Sequence, residues 1–245
     1  MVLLAQISDL HLDGGERAHE RAARVMDYLR ALPLDALLVT GDIADHGAQA
    51  EYEEAAELLR APFPVLTCPG NHDRRAAYRK ALLGESPSEE PVNRLHHVAG
   101  TAILMADVTV PGRDEGVLSP ETAAWIGATL DELGGSVPAL LAFHQPPVDI
   151  HHPVADTMGL QRPRELAAVL ASRPEVAAVI TGHVHSAGAS LFAGRPVVTG
   201  PGVVNTIRLP WEPGDTFADL AAPPGVAFHV LGDDRRLMTH FRVVP

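Results

Sequence analysis

Apolar stretches of strand length alternate with longer amphipathic stretches through the first seventy residues. The pattern predicts strands at Val2–Ile7, Ala36–Thr40 and Phe63–Cys68, and helices at Glu16–Leu32 and Gln49–Arg60. Such alternation is typical of βαβ units, which build a parallel sheet with right-handed crossovers. Polar residues come directly after each of the three strands.

The alternation continues to about residue 181 and then changes to short β segments. The pattern predicts helices at Arg74–Leu82, Pro120–Leu133 (with Ser119 as N-cap) and Pro163–Arg173, and strands at Arg94–Val98, Thr101–Val108, Ala139–Phe143 and Val176–Thr181. The later β segments are predicted at Ala189–Phe192, Pro196–Thr199, Val203–Leu209, Val226–Leu231 and Leu237–Val244, and we expect this tail, residues 188–245, to be antiparallel. A chain of 245 residues suits one domain, 1–245.

Oxygen and nitrogen donors stand at the ends of five predicted strands. They are Asp9 with His11, Asp42, Asn71 with His72, His144, and His183 with His185. Since the ends of successive parallel strands converge, two neighbouring cations are the simplest reason for so many donors. Carboxylate, amide and imidazole ligands without thiolate suit Mn²⁺, Fe²⁺ or Fe³⁺, Co²⁺ or Zn²⁺.

The turn Pro69–Asp73 carries the densest group of polar side chains. Read alone, it is a polar turn with Asp73 capping the following helix. Read with the other strand ends, His72 is a candidate for proton transfer near neutral pH, and Asp73 a carboxylate that orients its ring.

Composition narrows the class of partner. The net charge of −12 opposes binding to a large nucleic acid or to an anionic membrane surface. No apolar run is long enough to span a bilayer and the N-terminus lacks the basic region of a secretory signal, so we expect a cytoplasmic protein. The single cysteine, Cys68, is predicted to be a buried small residue.

Taken together, these motifs resemble the five signature motifs of the calcineurin-like metallophosphoesterases. They are Asp9-x-His11, Gly41-Asp42, Gly70-Asn71-His72-Asp73, His144 and Gly182-His183-Val184-His185, and they span Ser8 to His185. The resemblance implies an α/β fold with four layers, α/β/β/α, in which helices flank two mixed β-sheets and the metal site lies on loops at the sheets' edge.

The resemblance also implies an assignment of ligands and a mechanism. One metal would be held by Asp9, His11 and His185, the other by Asn71, His144 and His183, with Asp42 bridging. A hydroxide shared by the metals would attack phosphorus, and His72, oriented by Asp73, would stabilise or protonate the leaving oxygen.

Within this family the motifs are most similar to those of bacterial class III cyclic-nucleotide phosphodiesterases and their glycerophosphodiesterase relatives. The resemblance therefore implies hydrolysis of a small phosphodiester, first of all 3′,5′-cyclic AMP, and a homodimer. Two alternatives stay open: a glycerophosphodiesterase or broader phosphomonoesterase and diesterase, and an inactive scaffold of the same fold. Protein phosphatase activity is disfavoured, because the arginine that those enzymes carry before the glycine of Gly41-Asp42 is missing.

Other polar and aromatic residues give weaker signals. His19, His96, His97, His229 and His240 are predicted to be surface or packing residues, and His46 a solvated loop residue. His151, His152 and Asp156 lie on the long loop after His144 and are weaker candidates for the pocket mouth. Trp125 is expected in the core, whereas Trp211 could cap a pocket or lie in an oligomer contact.

Overall fold

Two mixed β-sheets lie face to face in the computed structural model, which describes residues 1–245. The first sheet has the order β15-β14-β1-β2-β3 and the second β10-β11-β9-β7-β5-β4. The strands, numbered along the chain, are β1 Val2–Ile7, β2 Ala36–Thr40, β3 Val65–Cys68, β4 Arg94–Val98, β5 Thr101–Met105, β6 Gly116–Val117, β7 Ala139–Ala142, β8 Leu160–Gln161, β9 Val176–Thr181, β10 Gly188–Phe192, β11 Arg195–Thr199, β12 Thr206–Ile207, β13 Ala218–Asp219, β14 Gly225–Leu231 and β15 Leu237–Val243. The pairs β6-β8 and β12-β13 form two small sheets.

Helices cover the outer face of each sheet. They are α1 Glu16–Arg30, α2 Gln49–Leu58, α3 Arg75–Tyr78, α4 Pro120–Leu133 and α5 Arg164–Leu170; a π-helical turn, Arg79–Leu83, extends α3, and a 3₁₀ turn occupies Ala155–Met158. α1 and α2 contribute to a core with the outer face of the first sheet, and α4 and α5 to a second core with the other sheet. None of these helices combines the length and the apolar character needed to cross a membrane.

A third apolar layer fills the space between the sheets. Leu4 and Leu38 from the first sheet belong to the same buried cluster as Ile103, Leu140 and Ile180 from the second. Because side chains alternate along a strand, each sheet is buried on both faces, and its strands read as continuous apolar runs. The predicted α/β/β/α arrangement is confirmed.

The bounds of several elements agree with the prediction. β1, β2, β4, β9 and α4 begin and end at the predicted residues, and the hydroxyl of Ser119 accepts a hydrogen bond from the Thr122 amide at 3.0 Å as the N-cap of α4. Other elements are shorter: α1, α2 and α5 end two or three residues early, β5 and β7 end at Met105 and Ala142, and β3 begins only after Pro64. The predicted helix Arg74–Leu82 changes to a π-helical turn after Tyr78.

The prediction of an antiparallel tail is wrong in part. β10, β14 and β15 do pair antiparallel, but β11 runs parallel to β9. Of the predicted strand Val203–Leu209 only β12 forms, because the Val203 and Val204 amides donate instead to the carbonyls of Ser8 and Asp9 at 2.9 and 3.0 Å. The tail thus holds the loop that follows β1.

The parallel strands bring their carboxyl ends together. β1, β2 and β3 are mutually parallel in one sheet, and β5, β7 and β9 in the other. The loops after β1, β2, β3, β7 and β9 therefore share one edge of the molecule, where open α/β sheets bind ligands.

Candidate metal centre

Three groups of three potential ligands lie at this edge: one contains His11, Asp45 and His72, and the other two consist of predicted metal ligands. Of these two, the first contains Asp9, His11 and His185, and the second Asp42, His144 and His183; within each group the ligand atoms lie within 4.8 Å of one another. These two groups are the sets that the resemblance implied, apart from Asn71.

Asp42 lies between the two groups of predicted ligands. Its Oδ2 is 3.1 Å from His144 Nε2 and 3.4 Å from His11 Nε2, so one carboxylate oxygen reaches both sets of imidazoles. Its Oδ1 accepts a hydrogen bond from the His72 amide at 3.0 Å. This is the position that a bridging ligand requires.

Two buried oxygen atoms at the centre have no partner within the chain. They are Asp9 Oδ2 and Asn71 Oδ1. A buried oxygen without a hydrogen-bond donor is costly, and a cation bound beside each oxygen would remove that cost. Together with four imidazoles and a second carboxylate, the donor set fits two transition-metal ions.

The backbone at the predicted ligands is unusual. Asp9, His11, Asp42, His183 and His185 have φ values of 56°, 44°, 48°, 71° and 46°, which makes them half of the ten non-glycine residues with positive φ. For residues other than glycine this left-handed conformation is strained, and such strain clusters at functional sites. The loops thus adopt costly conformations that turn donor side chains towards one point.

Glycines next to the ligands let the loops approach closely. A Cβ at Gly41, whose φ is 91°, would lie 2.5 Å from His144 Nδ1, and one at Gly182 would meet the Ser8 hydroxyl and lie 2.7 Å from the Thr40 carbonyl. No side chain fits at either position. The glycines of these motifs are therefore required by packing around the ligands.

Burial and neighbouring charges shift the pKa values of two of the histidines in opposite directions. Burial, reinforced by the charge on His144, lowers the pKa of His183 to about 3, so His183 is neutral and able to ligate. Burial also opposes charge on His144, but the carboxylates of Asp42 and Asp9 outweigh it and raise the pKa of His144 to about 9. A cation bound here would displace the proton that His144 shares with Asp42.

His72 lies beside the first group of donors, with its ring edge-on to that of His11 at 4.6 Å between centroids. Its Nδ1 donates to the Asp45 carbonyl oxygen at 2.7 Å, which leaves Nε2 free. The prediction that Asp73 orients this ring is wrong. The Asp73 carboxylate instead accepts hydrogen bonds from the amides of Gly70, Ala44 and Ile43 at 2.8, 3.1 and 3.2 Å and so joins the loops after β2 and β3.

Asp45 is a residue of the site that was not predicted from the sequence. Its carboxylate accepts a hydrogen bond from His11 Nδ1 at 2.8 Å, and its carbonyl oxygen accepts from His72, so one residue orients two imidazoles. The available signal was a second acidic residue three positions after Asp42, in the same loop. Asp45 contacts the predicted ligands through the imidazole of His11, and the pattern of donors at strand ends did not indicate it.

The remaining histidines divide between core and surface. His229 is buried between Gln6 and Thr239, and His46 is exposed and bonded to Glu51. His152 is also buried, and its Nδ1 accepts from the Val154 and Ala155 amides, so it supports the loop instead of lining the pocket mouth.

Two weaker candidates lie at a different cavity. His151 and the exposed Trp211 line a cavity of about 400 Å³ that does not include the predicted metal ligands. The other tryptophan, Trp125, packs half-buried against the core under α4, and Cys68 is buried as predicted.

Two cavities meet at Asn71 and His72. The smaller, about 200 Å³, lies over the donors and has an apolar wall that includes Met158 and Phe217. The larger, about 490 Å³, is lined mostly by polar and charged residues. Asp114 lines both cavities, so they adjoin and a ligand at the donors can extend into the larger one.

A family model described as calcineurin-like phosphoesterase matches residues 2–187 of the chain. Three curated relatives illustrate the range of similar proteins. A cAMP/cGMP dual specificity phosphodiesterase from Mycobacterium tuberculosis is 34% identical over 80% of this chain and 65% of its own length. A 3′,5′-cyclic adenosine monophosphate phosphodiesterase from Pseudomonas aeruginosa is 31% identical over 75% and 70%. A glycerophosphodiester phosphodiesterase from Enterobacter lignolyticus is 28% identical over 93% and 86%.

Solved structures share the fold at lower identity. A dimetal phosphatase from Danio rerio superposes with a TM-score of 0.75 at 15% identity, covering 100% of this chain and 96% of the other. A purple acid phosphatase from yellow lupin gives 0.68 at 14% identity over 99% and 51%. At such identities the likeness concerns the fold alone. Among the curated relatives, the chain spans about two thirds of the length of the mycobacterial phosphodiesterase.

Proposed function

The chain belongs to the calcineurin-like phosphoesterase family, and we propose that it hydrolyses a small phosphodiester with two bound transition-metal ions. The observation that carries this proposal is the pair of donor groups joined by Asp42, with Asp9 Oδ2 and Asn71 Oδ1 buried and unpartnered. Asp9, His11 and His185 would hold one ion, and Asn71, His144 and His183 the other. Mn²⁺, Fe²⁺ or Fe³⁺, Zn²⁺ and Co²⁺ suit these ligands.

Two neighbouring ions of this kind, when bound, activate water and offset negative charge on a phosphate group. The chain's own residues orient the imidazoles and provide the proton donor. His11 and His144 are fixed in orientation by hydrogen bonds from Nδ1 to the Asp45 carboxylate and the Thr40 carbonyl, so Nε2 of each faces the centre.

His72 is the proposed general acid. Since its Nδ1 donates to the Asp45 carbonyl, its Nε2 faces away from that bond and is free to donate a proton to the leaving oxygen. Asp73 supports this role only indirectly, because it fastens the turn that carries His72 to the loop after β2.

The first candidate substrate is 3′,5′-cyclic AMP. Five relatives above 30% identity bear the names of cyclic-nucleotide phosphodiesterases, and the apolar wall with Phe217 and Met158 offers a surface for a base. A glycerophosphodiester is the second candidate. It is favoured by a relative that matches 93% of the chain and by the polar cavity beyond His72.

Large nucleic acids are poor candidates, because the net charge of −12 opposes their binding. A cytoplasmic location and a homodimer stay predictions from the sequence.

The test is to measure kcat/KM for the manganese-loaded protein on 3′,5′-cyclic AMP, 2′,3′-cyclic AMP, glycerophosphocholine and bis(p-nitrophenyl) phosphate. Asn71→Ala serves as the control that removes one proposed ligand. We expect metal-dependent cleavage of the nitrophenyl diester and a preference for 3′,5′-cyclic AMP among the natural compounds. Preference for glycerophosphocholine would favour the second candidate. Activity no higher than that of Asn71→Ala on every compound would favour the inactive scaffold.

A further inference from the structure

The polar cavity beyond His72 contains an arginine side chain without a partner. The cavity has three guanidinium groups, and two of them are paired: Arg75 with buried Asp107 at 2.8 Å and Arg113 with Glu115 at 2.8 Å. The Arg74 side chain makes no hydrogen bond or salt bridge within the chain, so its donors are free. An exposed and unpaired arginine beside a proposed general acid is a candidate for binding substrate.

The fold holds Arg74 in place. Its backbone amide donates to the hydroxyl of Tyr52, a fully buried residue, at 2.6 Å. The first carbons of its side chain pack on Gly47, which has a φ of 69° and where any Cβ would collide with Arg74. Arg74 therefore enters the cavity from a fixed position.

Asp114 provides free acceptors at the junction of the two cavities. Its carboxylate makes no hydrogen bond, while its backbone carbonyl accepts from the side-chain amide of the buried Gln145 at 3.2 Å. Glu89, on the cavity wall, has a second carboxylate that is not paired. The free groups thus combine one cation with two anions, which disfavours an anionic ligand.

A neutral hydroxylated group matches this combination, because each hydroxyl both donates and accepts. It would accept from the Arg74 guanidinium and donate to the Asp114 carboxylate. We propose that Arg74 and Asp114 bind the leaving group of the substrate and select one with a hydroxyl next to the ester oxygen. This inference rests on the proposed phosphodiesterase function and on His72 as the group beside the leaving oxygen.

The arrangement fits 3′,5′-cyclic AMP, in which the 2′-hydroxyl is adjacent to the 3′ oxygen. It fits a glycerophosphodiester only with glycerol as the departing alcohol, so that the phosphate stays on the other alcohol. In the reaction, the oxygen of water bonds to phosphorus, the ester bond to the hydroxylated group breaks, and the departing oxygen takes up a proton. Methyl 2,3-dihydroxypropyl phosphate would accordingly give methyl phosphate and glycerol, with no methanol.

The experiment compares that diester with methyl propyl phosphate, which lacks the hydroxyls, and methyl 2-carboxyethyl phosphate, which carries an anion. Wild type, Arg74→Gln and Arg24→Gln are assayed with Mn²⁺, and ³¹P NMR identifies the products. Arg24 is an exposed arginine of α1 without a partner and serves as the matched control. We expect the wild type to cleave the dihydroxypropyl ester fastest and to release glycerol.

In Arg74→Gln the ratio of kcat/KM for the dihydroxypropyl ester to that for the propyl ester should fall about tenfold, as for the loss of one charge-assisted hydrogen bond. In Arg24→Gln this ratio should not change. An unchanged ratio in Arg74→Gln, release of methanol, or preference for the carboxyethyl ester would overturn the inference. The inference would also be overturned if the protein cleaves bis(p-nitrophenyl) phosphate but turns over the dihydroxypropyl ester no faster than the propyl ester. That result would leave the proposed function intact. Failure to cleave the nitrophenyl diester would contradict the proposed function itself.

Discussion

At the scale of single residues, Asp45 shows how a side chain that is not a predicted ligand sets the properties of one that is. Its carboxylate receives the hydrogen bond from His11 Nδ1 and thereby fixes both the tautomer and the orientation of the ring. A neutral amide in its place keeps the shape but lowers the basicity of the imidazole.

We therefore predict that Asp45→Asn weakens binding of Mn²⁺ by roughly 10-fold to 100-fold, the usual effect of losing such an outer partner. Calorimetric titration of the metal-free protein with Mn²⁺ measures this affinity. Asp149→Asn, which changes an exposed carboxylate away from the donors, should bind like the wild type. Equal affinities for Asp45→Asn and wild type would show that the hydrogen bond to His11 does not tune the site.

His72 should affect turnover and not metal content, because its side chain faces the donors without belonging to either group of proposed ligands. His72→Ala should retain both metals and lose turnover by roughly 10²-fold to 10⁴-fold, the range for removal of a general acid. Elemental analysis alongside kcat on bis(p-nitrophenyl) phosphate separates the two effects. Loss of both metals would remove His72 from its catalytic role.

At the scale of elements, the junctions between strands and loops tolerate added side-chain volume less well than the strands do. Gly182 follows β9 at a point where Ser8, just after β1, and Thr40, the last residue of β2, come within contact distance. Any side chain there pushes apart the loops that carry Asp9, Asp42 and His183.

Gly182→Ala should accordingly lower the free energy of unfolding by about 1–3 kcal/mol, the range for overpacking, and also weaken metal binding. Gly127→Ala is the matched control: Gly127 lies in α4 with open space at its Cβ position, so alanine should be neutral or stabilise by about 0.5–1 kcal/mol. Urea unfolding of the metal-free proteins measures the change in unfolding free energy for both variants. If Gly182→Ala were as stable as the wild type, the close contact with Ser8 would not be a constraint.

The elements that sequence reasoning predicted well are those defined by local signals. β1, β2 and β9 are apolar runs bounded by polar turns, and α4 has both a capping serine and a terminating glycine. The direction of β11 had no such signal, since parallel or antiparallel pairing depends on which strand of the folded sheet lies beside it.

The same distinction applies to the candidate site. The grouping of the ligands followed from strand ends and motif order, because donors after parallel strands must converge. The partners of His72 did not, because Asp73 is adjacent in sequence while the carbonyl that holds the ring comes from a different loop. Sequence proximity was a poor guide to which acceptor a ring would reach.

At the scale of the whole molecule, His229 is a buried titratable group remote from the proposed ligands. It lies on β14 between Gln6 of β1 and Thr239 of β15, and burial lowers its pKa to about 4. The unfolded chain, with the ordinary value of 6.5, binds a proton at a higher pH than the folded protein does. This difference destabilises the fold as the pH falls from about 6.5 to about 4.

Relative to His229→Gln, the wild type should therefore lose up to about 3 kcal/mol of unfolding free energy between pH 6.5 and 4, with no further relative loss below that. Urea unfolding of both proteins at pH 7, 6, 5 and 4 gives the difference at each pH, and contributions from other groups cancel. Parallel curves for the two proteins would mean that His229 does not remain neutral in the folded state.

The position of β1 also links the start of the chain to its end. β1 lies in the middle of its sheet, paired on one side with β2 and on the other with β14, and the segment at Val203 and Val204 is bonded to the loop that presents Asp9. During synthesis the first donors leave the ribosome long before these partners do. We expect the nascent chain to bind metal weakly until residues 203–231 have emerged, so that loading of the centre follows translation of β14.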